Sequence, residues 1–348
     1  TDYILTVAVS ISSGVAQITS AFPDLLPYRV ILAVGIIAFM TIVNLRGVKE
    51  SGAIFSVPTY FFLVMMFLTL GVGFYRWATG TLGTVTGVEF AAEAIAPMSL
   101  FLILRAFSSG SAALTGIEAI SNGITAFREP RSKNASRTLV VMSSLLVVMF
   151  LGITFLSRHI EAIPSHEETI ISQMARTVFG DGSILYLLVI AGTALVLLMA
   201  ANTSYADFPR LAALHAGDGF LPRQLTYRGG RLVFSWGIMT LAIAASVLVI
   251  VMGASTTALI PLYAIGVFLS FTVSQTGMVV RLRRIGRLKP GEKVKGLETD
   301  LEYDPRWRIH AVISGFGALC TFMVMMIFAV PKFTSVAWFI LSLIPPLV

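Results

Sequence analysis

Charge is scarce in this sequence. Lys, Arg, Asp and Glu make up 12% of its 348 residues, where soluble domains carry about a quarter. With 56% hydrophobic residues and a mean hydropathy of +0.85, the chain has too little polar surface to clothe a water-soluble globule, and it reads as an all-α polytopic membrane protein. Cysteine is nearly absent as well. Cys320 stands alone in an apolar segment, which excludes an internal disulfide, a cysteine-based zinc site and a catalytic Cys-His pairing. Metalloenzyme spacing is missing too. No His-Glu-x-x-His occurs, the His166-Glu167 pair has no second spaced histidine, and the Gly180-Asp181-Gly182 turn falls between apolar segments. The sequence therefore offers little to an enzymatic reading.

What is present is a series of apolar runs. A hydrocarbon core about 30 Å thick needs roughly 20 residues of helix. By that measure there are ten segments, at about 3–22, 28–47, 53–75, 99–123, 137–157, 184–206, 232–253, 256–280, 309–330 and 334 to the end. The first starts within three residues of Thr1 and the last closes the chain at Leu347-Val348, the expected pattern of an excerpt. No signal peptide is needed where a first transmembrane helix directs insertion.

The net charge of +7 would suggest nucleic acid in a soluble protein. Here the cations sort by side instead. Connections on one side hold nineteen Lys and Arg residues, those on the other hold five (Arg29, Arg76, Arg158, Arg176 and Lys332), and Arg105 lies inside the fourth segment. The rich side is assigned to the cytoplasm, and the lack of exceptions supports the segment count. The basic run from Arg281 to Arg308 is interspersed with Glu292, Glu298, Asp300 and Glu302, and topology explains it better than specific binding of anionic lipid. No nucleic-acid partner is expected. In the connection from Asp207 to Arg231, the Leu211-Ala212-Ala213-Leu214 patch predicts a short amphipathic helix lying along the cytoplasmic face.

Polar residues inside apolar runs are the places where chemistry can reside. The fourth segment contains SGSAALTGIEAISNG, in which Glu118 sits among Gly110, Gly116 and Gly123 and several hydroxyls. An ionised carboxylate at membrane depth costs several kcal/mol, so Glu118 must be protonated, paired, or facing water or an ion. The glycines and hydroxyls favour an unwound helix whose freed carbonyls and half-helix ends can bind a ligand. A close-packed small-residue interface would account for the glycines but leaves the carboxylate unexplained.

In the first segment Tyr3, Thr6 and Ser10 recur at spacings of three and four, placing their hydroxyls on one helical face. Such a stripe can complete a cation's coordination shell, or the hydroxyls can bond back to their own helix. Tyr263, after Pro261, sits near the start of the eighth segment, where an interfacial anchor is the common role.

Four stretches carry a resemblance: NLRGVKESG, LTGIEAISNGITAFREP, DFPRLAALHAGDGFLPRQLTYRGGRLVFSWGI and KFTSVAWFILSLIPP. Together they are similar to the amino acid–polyamine–organocation (APC) superfamily, and within it to bacterial KUP-type, KimA-like potassium uptake permeases. The Gly-x-Glu element and the DGFLP loop are common across the superfamily, whereas LTGIEAISNG and KFTSVAW look peculiar to the potassium branch.

That resemblance implies a LeuT-like fold of about twelve helices with inverted repeats and a site between discontinuous helices. The ten segments would be helices three to twelve of a single transporter domain spanning 1–348, with helices one and two and any C-terminal cytosolic domain outside the chain. It implies a multi-pass protein of a bacterial cell membrane that imports K⁺ by K⁺/H⁺ symport, or alternatively a proton-coupled amino acid permease. Its partners would be the lipid bilayer and the transported solute, with a homodimer and inhibition by cyclic di-AMP as further implications and no cofactor beyond transported K⁺ and H⁺. Carried onto this sequence, the implied substrate- and ion-binding residues are Tyr3, Thr6, Ser10, Leu114, Thr115, Gly116, Glu118 and Tyr263. Of these, Thr6, Ser10, Thr115 and Tyr263 would hold K⁺, and Glu118 would carry the coupled proton.

Overall fold

The computed structural model describes residues 2–47, 52–88, 99–111, 120, 124, 127–229, 233–289, 292–294 and 301–332. Among them run helices α1 (Asp2–Ala21), α2 (Arg29–Leu45), α3 (Gly52–Ala78), α4 (Leu100–Ser111), α5 (Arg131–His159), α6 (Ile170–Phe179), α7 (Ile184–Gly217), α8 (Ser235–Val251), α9 (Thr256–Ile285) and α10 (Trp307–Lys332). The protein is an all-α polytopic membrane protein. Seven helices among the described residues are long and apolar enough to cross a bilayer, and α8, at 17 residues, is about 25 Å long at 1.5 Å per residue. Among the described residues the one sheet is a two-residue antiparallel pair, Lys293–Val294 with Leu301–Glu302, inside the basic connection.

The chain divides into two compact units, one comprising residues 1–95 and 116–259 and the other 96–115 and 260–348. In the first, two apolar clusters form. Val7, Ile11 and Val15 of α1 meet Ala33 and Ile37 of α2, Ala201 and Tyr205 of α7, and Leu241 and Ala245 of α8. Met66 and Leu70 of α3 meet Leu156 of α5, Met174 and Val178 of α6, and Val189 of α7. Small residues permit these approaches: a methyl group on Gly152 would lie 2.9 Å from Leu70 Cδ1, and one on Gly237 of α8 would lie 2.9 Å from Pro209 Cα of α7. Between lipid-solvated helices, such close packing replaces the hydrophobic drive available in water. Most of the apolar surface of α5 is left uncovered by the other described residues. In the second unit, Ala264, Ile265 and Phe268 of α9 pack on Val324 and Phe328 of α10, and Thr272 Oγ1 donates to Thr321 Oγ1 at 2.9 Å.

One expectation changes. The patch at Leu211–Leu214 is not a separate amphipathic helix, because α7 continues unbroken for 34 residues through Pro209 to Gly217. At about 51 Å it outruns the hydrocarbon core, and it buries Pro209, Ala212 and Ala216 while Leu214 points outward. The connection after α5 contains a helix, α6, that apolar run length alone does not reveal. Thr169 caps it, accepting a hydrogen bond from Ser172 N at 3.2 Å, and Gly180 ends it at φ 92°, a left-handed conformation that costs glycine little. The fourth segment is described over α4 and at residue 120, and the tenth lies outside the described residues.

Candidate functional site

Of the eight residues expected at the site, Leu114, Thr115, Gly116 and Glu118 lie outside the described residues. Tyr3, Thr6 and Ser10 all fall on α1 in the first unit, and Tyr263 falls on α9 in the second. The stripe on α1 forms as its spacing predicts, rising about 10 Å from Tyr3 to Ser10. Tyr3 is half-buried, with its ring edge-on to Phe208 of α7 at a centroid distance of 6.4 Å. Thr6 Oγ1 donates to Asp2 O at 3.0 Å, a bond that uses the hydroxyl proton and not its lone pairs. Ser10 is buried. Tyr263 is half-buried and has an interaction partner.

The structure adds polar residues that the sequence reading passed over. Thr41 and Tyr205 meet hydroxyl to hydroxyl at 3.1 Å between α2 and α7. One turn away Asn44 Nδ2 donates to Asn202 Oδ1 at 2.8 Å. Each sits in an otherwise apolar helix, and that was the available signal. Among the described residues, the buried hydroxyls of Ser12 on α1, Ser157 on α5 and Ser204 on α7 find no hydrogen-bond partner. Ser12 lines a cavity of about 60 Å³ together with Thr19, Arg29, Glu167 and Ser255, room for about two waters.

Above α1 lies a polar cap. Arg176 of α6 grips Glu168 through Nε to Oε1 at 3.2 Å and Nη2 to Oε2 at 2.9 Å. Ser172 Oγ donates to Glu168 Oε1 at 2.8 Å and meets Tyr186 Oη at 2.9 Å. Burial alone would lower the Arg176 pKa, but the hydrogen bond and charge of Glu168 outweigh it and hold the guanidinium above its ordinary value. Thr169 ties this cap to α1, its Oγ1 donating to Gln17 Oε1 at 3.0 Å and its N–H donating to Ser20 Oγ at 3.0 Å. Glu167, Glu168, Asp181 and Tyr186 line a cleft of about 450 Å³ beside it. Among the described residues no cluster of His, Cys, Asp and Glu could hold a metal ion.

Among the described residues, the helices are long enough to span, Thr41–Tyr205 and Asn44–Asn202 join α2 to α7, and hydroxyls share one face of α1. A family model described as "Amino acid permease" matches residues 1–345. The chain belongs to this permease family. That family is one of transporters and not of enzymes, and this permease is a multi-pass protein of the bacterial cell membrane. It is similar to the "Potassium transporter KimA" of Bacillus subtilis (strain 168), with 43% identity over 344 residues, covering 99% of this chain and 54% of that protein. The permease chain thus spans about half the length of that curated relative.

Proposed function

We propose that the protein to which this chain belongs imports potassium ions by secondary active transport, as a K⁺/H⁺ symporter working by alternating access. One observation carries the reading: the 43% identity to a potassium transporter extends across nearly the whole chain. Potassium needs about six to eight oxygen ligands without demanding a full charge from them, and hydroxyls and unwound carbonyls meet that need. Thr6, Ser10 and Tyr263 are the described candidates, with Thr115 and the backbone of Leu114 and Gly116 completing the shell. Glu118, desolvated and biased toward its protonated form, takes up and releases the coupled proton as the helices rock between outward- and inward-open states. The same proposal gives the chain a LeuT-like arrangement, with α1 as third helix, and a homodimeric assembly.

The family description favours a second reading, a proton-coupled amino acid permease, in which half-helix N-termini would bind a substrate carboxylate. Thermal stabilisation of the purified full-length protein by K⁺, Rb⁺ and Na⁺, set against a panel of amino acids, separates the two. Stabilisation by K⁺ and Rb⁺ alone supports potassium transport, and stabilisation by amino acids with indifference to K⁺ overturns it.

A further inference from the structure

At the outer end of α5, five residues, Leu151, Thr154, Phe155, Arg158 and His159, follow one another at helical spacing and line an open groove of about 550 Å³. The opposite face of the same turns, Gly152, Leu156 and Ile160, is buried toward α3, so the groove faces away from the core of the first unit. Its depth is set by aromatic rings: Trp77 of α3 meets Phe155 edge-on at 5.0 Å and His159 at 5.5 Å, and Phe155 stacks on His159 at 4.1 Å. Trp and Tyr gather where hydrocarbon gives way to headgroups, and Trp77 and neighbouring Tyr75 are 45% and 69% exposed.

Two cations at this end of the first unit are already engaged. Arg176 pairs with Glu168, and Arg76 donates to the carbonyls of Thr177, Val178 and Thr81. Arg158 is exposed and makes no ion pair among the described residues. His159 is oriented beside it, its Nδ1–H donating to Phe155 O at 2.7 Å. Below them Val147, Val148 and Leu151 continue the face as 51%, 54% and 62% exposed side chains.

A guanidinium with no ion-pair partner among the described residues, beside an exposed Trp, above a strip of exposed aliphatic surface and next to a ring fixed by stacking, matches one kind of occupant: an anionic phospholipid. The phosphate would meet Arg158 and the acyl chain would lie along Leu151 and Val147. We propose that this groove binds an anionic phospholipid in the leaflet opposite the cation-rich face.

Native mass spectrometry of the full-length protein in detergent, titrated with phosphatidylglycerol, phosphatidylcholine or inorganic phosphate, tests the site. Phosphatidylglycerol should be retained in preference to phosphatidylcholine, and Arg158→Ala should cut its occupancy on the order of five-fold. Arg158→Lys should keep most of it, and Arg131→Ala, an exposed cation at the other end of α5, should change nothing. Equal retention by Arg158→Ala and the unaltered protein, or equal retention of phosphatidylcholine, overturns the proposal. So does displacement of the lipid by inorganic phosphate, which would mark a site for free anions.

Discussion

Glu168 holds Arg176 through both carboxylate oxygens, at 3.2 and 2.9 Å, and the two side chains are only 14% and 21% exposed. The pair closes the segment before α6 onto α6 itself, and Thr169 at the start of that helix reaches down to Gln17 and Ser20 on α1. Removing one partner leaves the other charge desolvated and alone. Because some solvent reaches the pair, Arg176→Met should lower stability by about 1–3 kcal/mol, less than at a fully buried pair. Thermal unfolding of the detergent-solubilised protein reads this. A group whose folded pKa is raised, as for Arg176, contributes stability that is complete below its unfolded pKa and lost only as pH climbs through the folded value. The contribution of Arg176 should therefore stay constant across neutral pH and fail only in strong alkali.

Gln173 is fully buried, with Nε2 donating to Ile163 O at 2.7 Å and Oε1 accepting from Ile163 N at 2.9 Å. Gln173→Leu preserves most of the volume but orphans both backbone groups of Ile163. The expected loss is about 1–3 kcal/mol, and faster hydrogen exchange confined to residues 161–169 would locate it there.

Gly237 faces the backbone of Pro209, so the methyl of Gly237→Ala has nowhere to go. The α7–α8 seam must open, at about 1–3 kcal/mol. Gly35, with open space around its Cα, serves as the control, and Gly35→Ala should leave the melting temperature unchanged or slightly raised.

The Asn44–Asn202 contact joins α2 to α7. A double-mutant cycle with Asn44→Leu and Asn202→Leu should return a coupling of about 0.6 kcal/mol, since polar groups in a membrane-embedded unfolded chain also find partners. A coupling near zero would show that the contact does not persist in the bilayer.

Under the proposed function, Ser10→Ala should weaken apparent K⁺ affinity several-fold without lowering the melting temperature. Glu118→Gln should abolish concentrative, proton-coupled uptake by the complete transporter. Fully coupled accumulation in the Glu118→Gln protein would remove the proton role from that residue.

Membrane insertion, helix class and most span positions were legible in the chain itself. Bilayer thickness sets a length for each apolar run, and the runs at 3–22, 137–157 and 256–280 contain little that could fold otherwise. The face shared by Tyr3, Thr6 and Ser10 was also legible, because 3.6-residue periodicity is a local property. Tertiary structure alone decided which polar residues meet. Thr41 finds Tyr205 across 164 positions and Ser20 finds Thr169 across 149, pairings that no local pattern encodes. It also decided that α7 runs on through Pro209, where packing against Gly237 supports a helix that proline by itself would interrupt. Solvent dictates an apolar run's length and a helix's period residue by residue, whereas a hydrogen bond between helices exists only once packing has brought them together.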